Sequence, residues 1–171
     1  MTRRLGGTNG RRAVAAGLLA GLLMLAACDP QHIAELEEGV ATEADVRSRF
    51  GEPEAVWDAP GGGRTLEYNR QPAGQKNYMI TIAADGRMSA LRQVLTPENF
   101  ARVRTGMAME DVRKLLGKPA KVTPYPLKRE TEWDWRWLQP PNTPMVFTVV
   151  MNDDQRVVRS GSSQDRAAEP N

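Results

Sequence analysis

The feature that most constrains this chain is an internal repeat. The segment GVATEADVRSRFGEPEAV begins at Gly39, and the similar segment GMAMEDVRKLLGKPAKV begins at Gly106. Val46 and Val112 are 66 positions apart, and a Gly-x-Pro motif begins five residues after each of them. A repeat of this size that occurs only twice indicates a duplicated small domain rather than a solenoid.

Each copy begins with helical signals. Short helices are predicted over residues 31–38 and 98–104, with Thr96 as N-cap of the latter and a glycine placed to end each one. A second helix follows in each copy. In the first copy its start is marked by Thr42 and Asp45, an acidic variant of the capping box, whereas the second copy has Ala108 in place of the threonine. Apolar residues at helical spacing form the predicted buried faces: Val46 and Phe50, then Val112, Leu115 and Leu116.

Strand signals follow both helices. The segments RTLEYNR and ETEWDWRW alternate apolar with polar residues, and NYMITIAADGRMSALRQV contains a hairpin turn at Asp85-Gly86. The predicted fold class is α+β, with two short helices on an antiparallel sheet of about three strands in each unit. The predicted divisions are 1–27 leader, 28–32 tether, 33–95 first unit, 96–159 second unit and 160–171 disordered tail.

The N-terminal segment is typical of a bacterial lipoprotein leader. Four arginines precede an uncharged apolar run over residues 13–27, which at 15 residues is shorter than the roughly 20 that span a bilayer. The run ends in Leu-Ala-Ala-Cys, which resembles a lipobox and implies cleavage before Cys28 and acylation of that cysteine. Several acyl chains together hold a protein stably at a membrane. An uncleaved anchor helix is the alternative.

The lipobox cysteine and the repeated pattern of Asp-Val, a helix and Gly-x-Pro resemble the SmpA/OmlA (BamE-like) family of envelope lipoproteins. The fold implied is also similar to that of tandem β-lactamase-inhibitor proteins, which have two such units. The resemblance implies a periplasm-facing lipoprotein of the outer membrane that works in β-barrel protein assembly. Asp29, directly after the cysteine, indicates the inner membrane instead, and both addresses stay open.

Charge and motifs exclude several function classes. Without the leader, 19 basic residues stand against 21 acidic ones, so a nucleic-acid partner is not indicated. The single histidine, His32, lies in the expected tether, so neither a catalytic triad nor a zinc site is predicted. No cofactor or small-molecule substrate is expected. Glu67 and Asp134 fall at matching positions of matching strands, which indicates a duplicated solvent-exposed face.

Three tryptophans, Trp133, Trp135 and Trp137, share one face of a predicted strand. The first two align with Leu66 and Tyr68 of the first unit and are expected to pack under the helices. Trp137 aligns with Arg70, so it is a candidate contact for a protein partner, since tryptophan is enriched at binding hot spots. Packing on the nearby Pro-Pro loop is the alternative.

The sequence therefore predicts a non-enzymatic, lipid-anchored protein that acts as an interaction scaffold in the cell envelope. Its partners would be envelope proteins, with barrel-assembly subunits as one candidate. The alternative function is a tandem inhibitor or sensor that binds a periplasmic enzyme with the sheet faces of both units.

Overall fold

The computed structural model describes residue 33 and residues 35–168. The chain forms two four-stranded antiparallel sheets, with strand orders β1-β2-β3-β4 and β5-β6-β7-β8. The tandem α+β prediction is confirmed, with four strands in each sheet rather than three. The strands are β1 Ala55–Ala59, β2 Gly63–Asn69, β3 Asn77–Ile82, β4 Met88–Gln93, β5 Lys121–Tyr125, β6 Glu130–Gln139, β7 Thr143–Asn152 and β8 Val157–Gln164; the α-helices are α1 Glu43–Phe50, α2 Pro97–Phe100 and α3 Met109–Leu116. We call residues 35–95 repeat 1, which holds sheet 1, and residues 96–165 repeat 2, which holds sheet 2.

Helix α1 starts and packs as its sequence predicts. The Thr42 hydroxyl accepts a hydrogen bond from the Asp45 backbone N–H, and the Asp45 carboxylate accepts one from the Thr42 backbone N–H at 2.8 Å. The buried Phe50 ring lies 5.1 Å from the ring of Tyr68 and 5.7 Å from that of Tyr78. Burial raises the pKa of Tyr68 to about 12, and its hydroxyl donates to the Gly51 carbonyl.

Helix α3 has the equivalent place on sheet 2. Its N-cap, Ala108, makes no side-chain hydrogen bond, in agreement with the sequence. Val112 and Leu116 are fully buried with Trp135 and Phe147 in the core of repeat 2, and Leu115 packs against that core while partly exposed. A three- to four-residue spacing of apolar side chains therefore places one side of each helix on a sheet.

The short first helix of each repeat differs from the prediction. Helix α2 ends at Phe100 rather than at residue 104, because the chain turns there and buries Val103 in the core. In repeat 1, residue 33 is helical as predicted, residues 31, 32 and 34 lie outside the described part, and residues 35–38 are not helical. Those residues lead into an edge contact instead, since the Glu38 carboxylate accepts a hydrogen bond from Leu91 and the Gly39 N–H donates to the Met88 carbonyl.

The prediction of a disordered tail from residue 160 is wrong for residues 160–165. Strand β8 continues to Gln164 and pairs with β7 as far as Met145. Asp165 is then buried and accepts a hydrogen bond from Arg136 Nε at 2.7 Å. The ten-residue strand β7 supplies a backbone ladder that the small polar residues of β8 can join without an apolar pattern of their own. Residues 169–171 lie outside the described part.

Both sheets belong to one compact unit that begins at Leu36. The chain passes from sheet 1 to repeat 2 through Leu95, which is 2% exposed and joins the core of repeat 2. In the described residues, no helix has the length and apolar character needed to cross a bilayer.

Candidate protein-binding face

The two sheets differ in what lies on their outer face, which we define as the face opposite the helix of the same repeat. On sheet 1 this face carries Glu67, Asn77 and Met79, and all three side chains are buried, with Glu67 and Asn77 at 0% exposure. The element that covers them is the C-terminal end of α3 from repeat 2, together with the Gly117-Lys118 turn that follows.

Glu67 is the centre of this contact between the repeats. Its carboxylate accepts hydrogen bonds from the Lys118 backbone N–H at 2.8 Å, from Trp57 Nε1 at 3.2 Å and from Arg113 Nε at 3.4 Å. A buried carboxylate is tolerated only when it is paired and hydrogen-bonded, and these three donors meet that requirement. Glu67 therefore ties sheet 1 to the end of α3.

Asn77 secures the same helix end from the neighbouring strand. Its Nδ2 donates to the carbonyls of Leu116 at 2.8 Å and Lys118 at 3.1 Å, two groups at the helix end that have no partner within the helix. The approach is close at Gly117, where φ is +78° and an added Cβ would lie 2.9 Å from Asn77 Nδ2. Trp135 Nε1 completes the cap by donating to the Gly117 carbonyl at 3.0 Å.

The docked helix end is positively charged. Arg113 and Lys114 both lie against the Trp57 ring, at 5.7 and 5.4 Å from its centroid, which is cation–π geometry. Lys118 Nζ pairs with Glu54 at 2.6 Å. Sheet 1 therefore binds a cationic helix terminus through carboxylates and an indole.

A further contact joins the repeats at the end of β2. The Gln71 side-chain amide donates to the Arg136 carbonyl at 2.7 Å and accepts from the Arg136 backbone N–H at 3.2 Å. The amide thus mimics a strand partner for β6.

The outer face of sheet 2 is open by comparison. Gly161 and Ser163 are exposed, and a Cβ added at Gly161 would meet no atom within 4 Å. The face contains a shallow groove of about 320 Å³ lined by Glu132, Thr148, Val150, Arg159 and residues 160–163. This surface is the candidate functional site, and we call it the sheet 2 face.

The charges of the sheet 2 face fall into paired and unpaired groups. Glu130 forms a bidentate pair with Arg159, at 2.6 and 2.8 Å, and this guanidinium lowers the pKa of the carboxyl. The Asp134 carboxylate accepts from the Thr148 hydroxyl at 2.6 Å. Glu132 accepts from the Tyr125 hydroxyl, and that hydrogen bond raises the pKa of the tyrosine. Within the described residues, Glu132 and Asp134 form no ion pair, although Arg159 interacts electrostatically with Glu132 and Lys121 is the cross-strand neighbour of Asp134.

The sequence-predicted partner contact, Trp137, is not on this face. It is 3% exposed, and its ring meets the Phe100 ring at 5.0 Å and 69° in the core of repeat 2. Its Nε1 is buried without a hydrogen-bond partner among the described residues. The prediction that Trp137 is exposed is therefore wrong. Trp135 is buried as expected, and Trp133 is partly buried.

The prediction for Glu67 and Asp134 is correct for only one of the pair. Asp134 lies on an open face, whereas Glu67 is buried under repeat 2. The signal for this burial is in β3, where NYMITI lacks polar alternation and five of six side chains are buried. A strand without alternation is covered on both faces.

Other predicted site residues lie elsewhere in the chain. Cys28, the lipidation candidate, and His32 fall outside the described residues. Over residues 35–168, no cluster of three His, Cys, Asp or Glu side chains could hold a metal ion.

Comparisons with known proteins give only distant likenesses. No protein-family model and no curated protein matches the chain. A DUF4309 family protein (YjgB) from Bacillus subtilis has 24% identity over 80% of this chain and 86% of its own, with a TM-score of 0.31. A "putative beta-lactamase inhibitor protein" from Streptococcus mutans has 9% identity over 72% and 82%, with a TM-score of 0.32.

An extracellular protein of Bacillus anthracis with an SCP domain has 11% identity and a TM-score of 0.31, and the chain spans half of its length. None of the three names contains SmpA/OmlA, so membership of that family stays a prediction. TM-scores of 0.31–0.32 are too low to transfer a function to this chain.

Proposed function

We propose that this chain is a non-enzymatic, membrane-tethered protein-binding module whose contact surface is the sheet 2 face. The observation that carries the proposal is the difference between two related faces of one molecule. The outer face of sheet 1 is filled by a helix end of repeat 2, whereas the corresponding face of sheet 2 is open and has two unpaired carboxylates. A face of this architecture demonstrably accepts a protein element.

The tether in this proposal is the lipid on Cys28, as the lipobox pattern predicts. The module would then face the periplasm from the outer or the inner membrane. Its partner would be an envelope protein, and subunits of the β-barrel assembly machinery are the candidates that follow from the sequence resemblance. The second candidate function is inhibition or sensing of a periplasmic enzyme. The sequence-based version of that function used both sheet faces, and the burial of Glu67 and Asn77 removes the face of sheet 1 from it.

Site-specific photo-crosslinking in intact cells tests the proposal. A photoreactive phenylalanine analogue replaces Ser163 on the sheet 2 face, and a control replaces the exposed Ala44 of α1. We expect covalent protein adducts at position 163 and none at 44, followed by identification of the adduct by mass spectrometry. Barrel-assembly subunits would support the scaffold, and a single soluble enzyme would support the inhibitor. Adducts at neither position, or equally at both, would refute the sheet 2 face as the contact surface.

The tether has its own measurement. Intact-mass analysis should show the loss of residues 1–27 and three acyl chains on Cys28. The Cys28→Ser protein should carry no acyl chain and should keep residues 1–27, since lipobox cleavage depends on the cysteine. An unmodified thiol on an intact leader would contradict this part of the proposal.

A further inference from the structure

We infer that the partner of the sheet 2 face presents the positively charged C-terminal end of a helix, as α3 does to sheet 1. This inference rests on the proposed function and adds the chemistry of the partner. It is argued from the internal contact between the repeats, which is an occupied version of the same face.

The two faces correspond position by position. Glu67 pairs with Ala55 and Met79 in sheet 1, and Asp134 pairs with Lys121 and Thr148 in sheet 2. Asp134 therefore occupies, on sheet 2, the position at which Glu67 of sheet 1 accepts hydrogen bonds from the Lys118 N–H and the Arg113 guanidinium. The central acceptor of the helix end is present on both faces.

The surroundings of this acceptor differ between the two faces, because sheet 2 has Lys121 in the place of Ala55 and Thr123 in the place of Trp57, and it adds one carboxylate. Glu132 occupies the place of Thr65, since these residues pair with the equivalent edge-strand positions Thr123 and Trp57. Val146 occupies the place of Asn77, so the contact with the helix-end carbonyls is not repeated. Recognition on this face therefore depends on basic side chains near the helix end rather than on the carbonyls.

A second copy of this chain fits the face poorly. Among the described residues of repeat 1, the comparable element is the end of α1, where Glu52 stands in the place of Lys118 and Ser48 in that of Lys114. Arg47, which corresponds to Arg113, is already paired with Glu43 and Glu52. Glu52 would approach Asp134, and two like charges repel. The charges thus favour a different protein with a basic helix end.

Two peptides from the chain itself make a matched test. One has residues 109–120, MEDVRKLLGKPA, and the other has residues 43–54, EADVRSRFGEPE, both held helical by a hydrocarbon staple that replaces the equivalent positions 111 and 115 in the first and 45 and 49 in the second. Each is titrated into the ¹⁵N-labelled full-length protein in detergent micelles, and amide shifts are followed by NMR. We expect the first peptide to shift resonances of Asp134, Thr148 and Gly161, and the second to shift none of them.

Charge variants complete the test. Because the carboxylates are partly exposed, the Glu132→Gln and Asp134→Asn double variant should weaken binding of the first peptide about five-fold. Unperturbed amide spectra will show that this variant is folded. The inference is overturned if the first peptide does not bind, if both peptides bind alike, if the variant binds with unchanged affinity, or if the shifts are confined to sheet 1. Crosslinking at position 163 is independent of the peptides, so retained adducts with failed peptide binding would reject the helix-end partner and keep the proposed function.

Discussion

The sharpest prediction concerns Glu67, because its role depends entirely on the contact between the repeats. Glu67→Ala removes the acceptor of the Lys118 N–H and the charge opposite Arg113. A hydrogen bond to a charged acceptor contributes about 1.5–3 kcal/mol, and breaking a buried ion pair costs about 3–5 kcal/mol. Arg113 is 30% exposed and 3.4 Å away, which reduces its share. We expect a loss of about 3 kcal/mol in the free energy of unfolding.

Asp134→Ala is the matched control, since this residue has the same place on sheet 2 without a docked helix. It loses one hydrogen bond, from the Thr148 hydroxyl, so the expected cost is about 1 kcal/mol. The two variants should differ by roughly 5–10 °C in melting temperature for a domain of this size.

The measurement is urea unfolding of the purified protein, followed by tryptophan fluorescence, with the melting temperature from circular dichroism. Trp57 is affected directly, because its indole N–H donates a hydrogen bond to Glu67, so the fluorescence emission of Trp57 reports the contact. Equal costs for the two variants would refute the reasoning, because they would mean that Glu67 is as accessible to water as Asp134.

Three further predictions follow from local geometry. Thr42→Ala should lower the free energy of unfolding by about 1 kcal/mol by removing the capping box of α1. Ala108→Thr should raise it by about 0.5–1 kcal/mol by adding a cap to α3. The urea midpoints of both variants measure these changes, and equal effects of the same sign would contradict the capping argument. Gly117→Ala should cost about 2 kcal/mol more than Gly106→Ala, because both have positive φ but only the former meets Asn77; thermal unfolding of both measures it, and equal losses would disprove the close approach. Arg159 lowers the pKa of Glu130, so this pair stabilises the fold above the ordinary carboxyl pKa, and that contribution disappears as the pH falls through the lowered pKa. Glu130→Gln should therefore reduce the acid dependence of the urea midpoint between about pH 5 and 2. An unchanged pH profile would contradict the pairing.

Local patterns predicted the local structure well. The capping box at Thr42, the buried helical positions Val46 and Val112, and the Asp85-Gly86 turn depend on neighbours in sequence, and the structure confirms them. The division into two α+β units followed from the repeat alone. These features need no knowledge of distant contacts.

The errors all depend on distant contacts. Glu67 is buried by residues about 50 positions later, which the alternation of its own strand does not report. Residues 160–164 carry no apolar alternation, and their strand exists because β7 is long enough to pair with them. Trp137 was compared with Arg70, but β2 ends at Asn69 whereas β6 continues to Gln139, so the tryptophan lies within a paired strand, where Phe100 covers it.

The seating of α3 on sheet 1 has a consequence for how such a protein can grow or be re-engineered. Each repeat has a helix end and an outer sheet face. In the described residues the end of α3 lies on the outer face of sheet 1, whereas the sheet 2 face is open, so the two repeats are not interchangeable. A third repeat fused after Asn171 could dock on the sheet 2 face by supplying a basic helix end, with no alteration to the first two repeats. Exchanging the order of the two repeats would instead place Glu52 against Asp134 and leave the buried Glu67 without the Arg113 guanidinium. The charged residues therefore specify which repeat comes first.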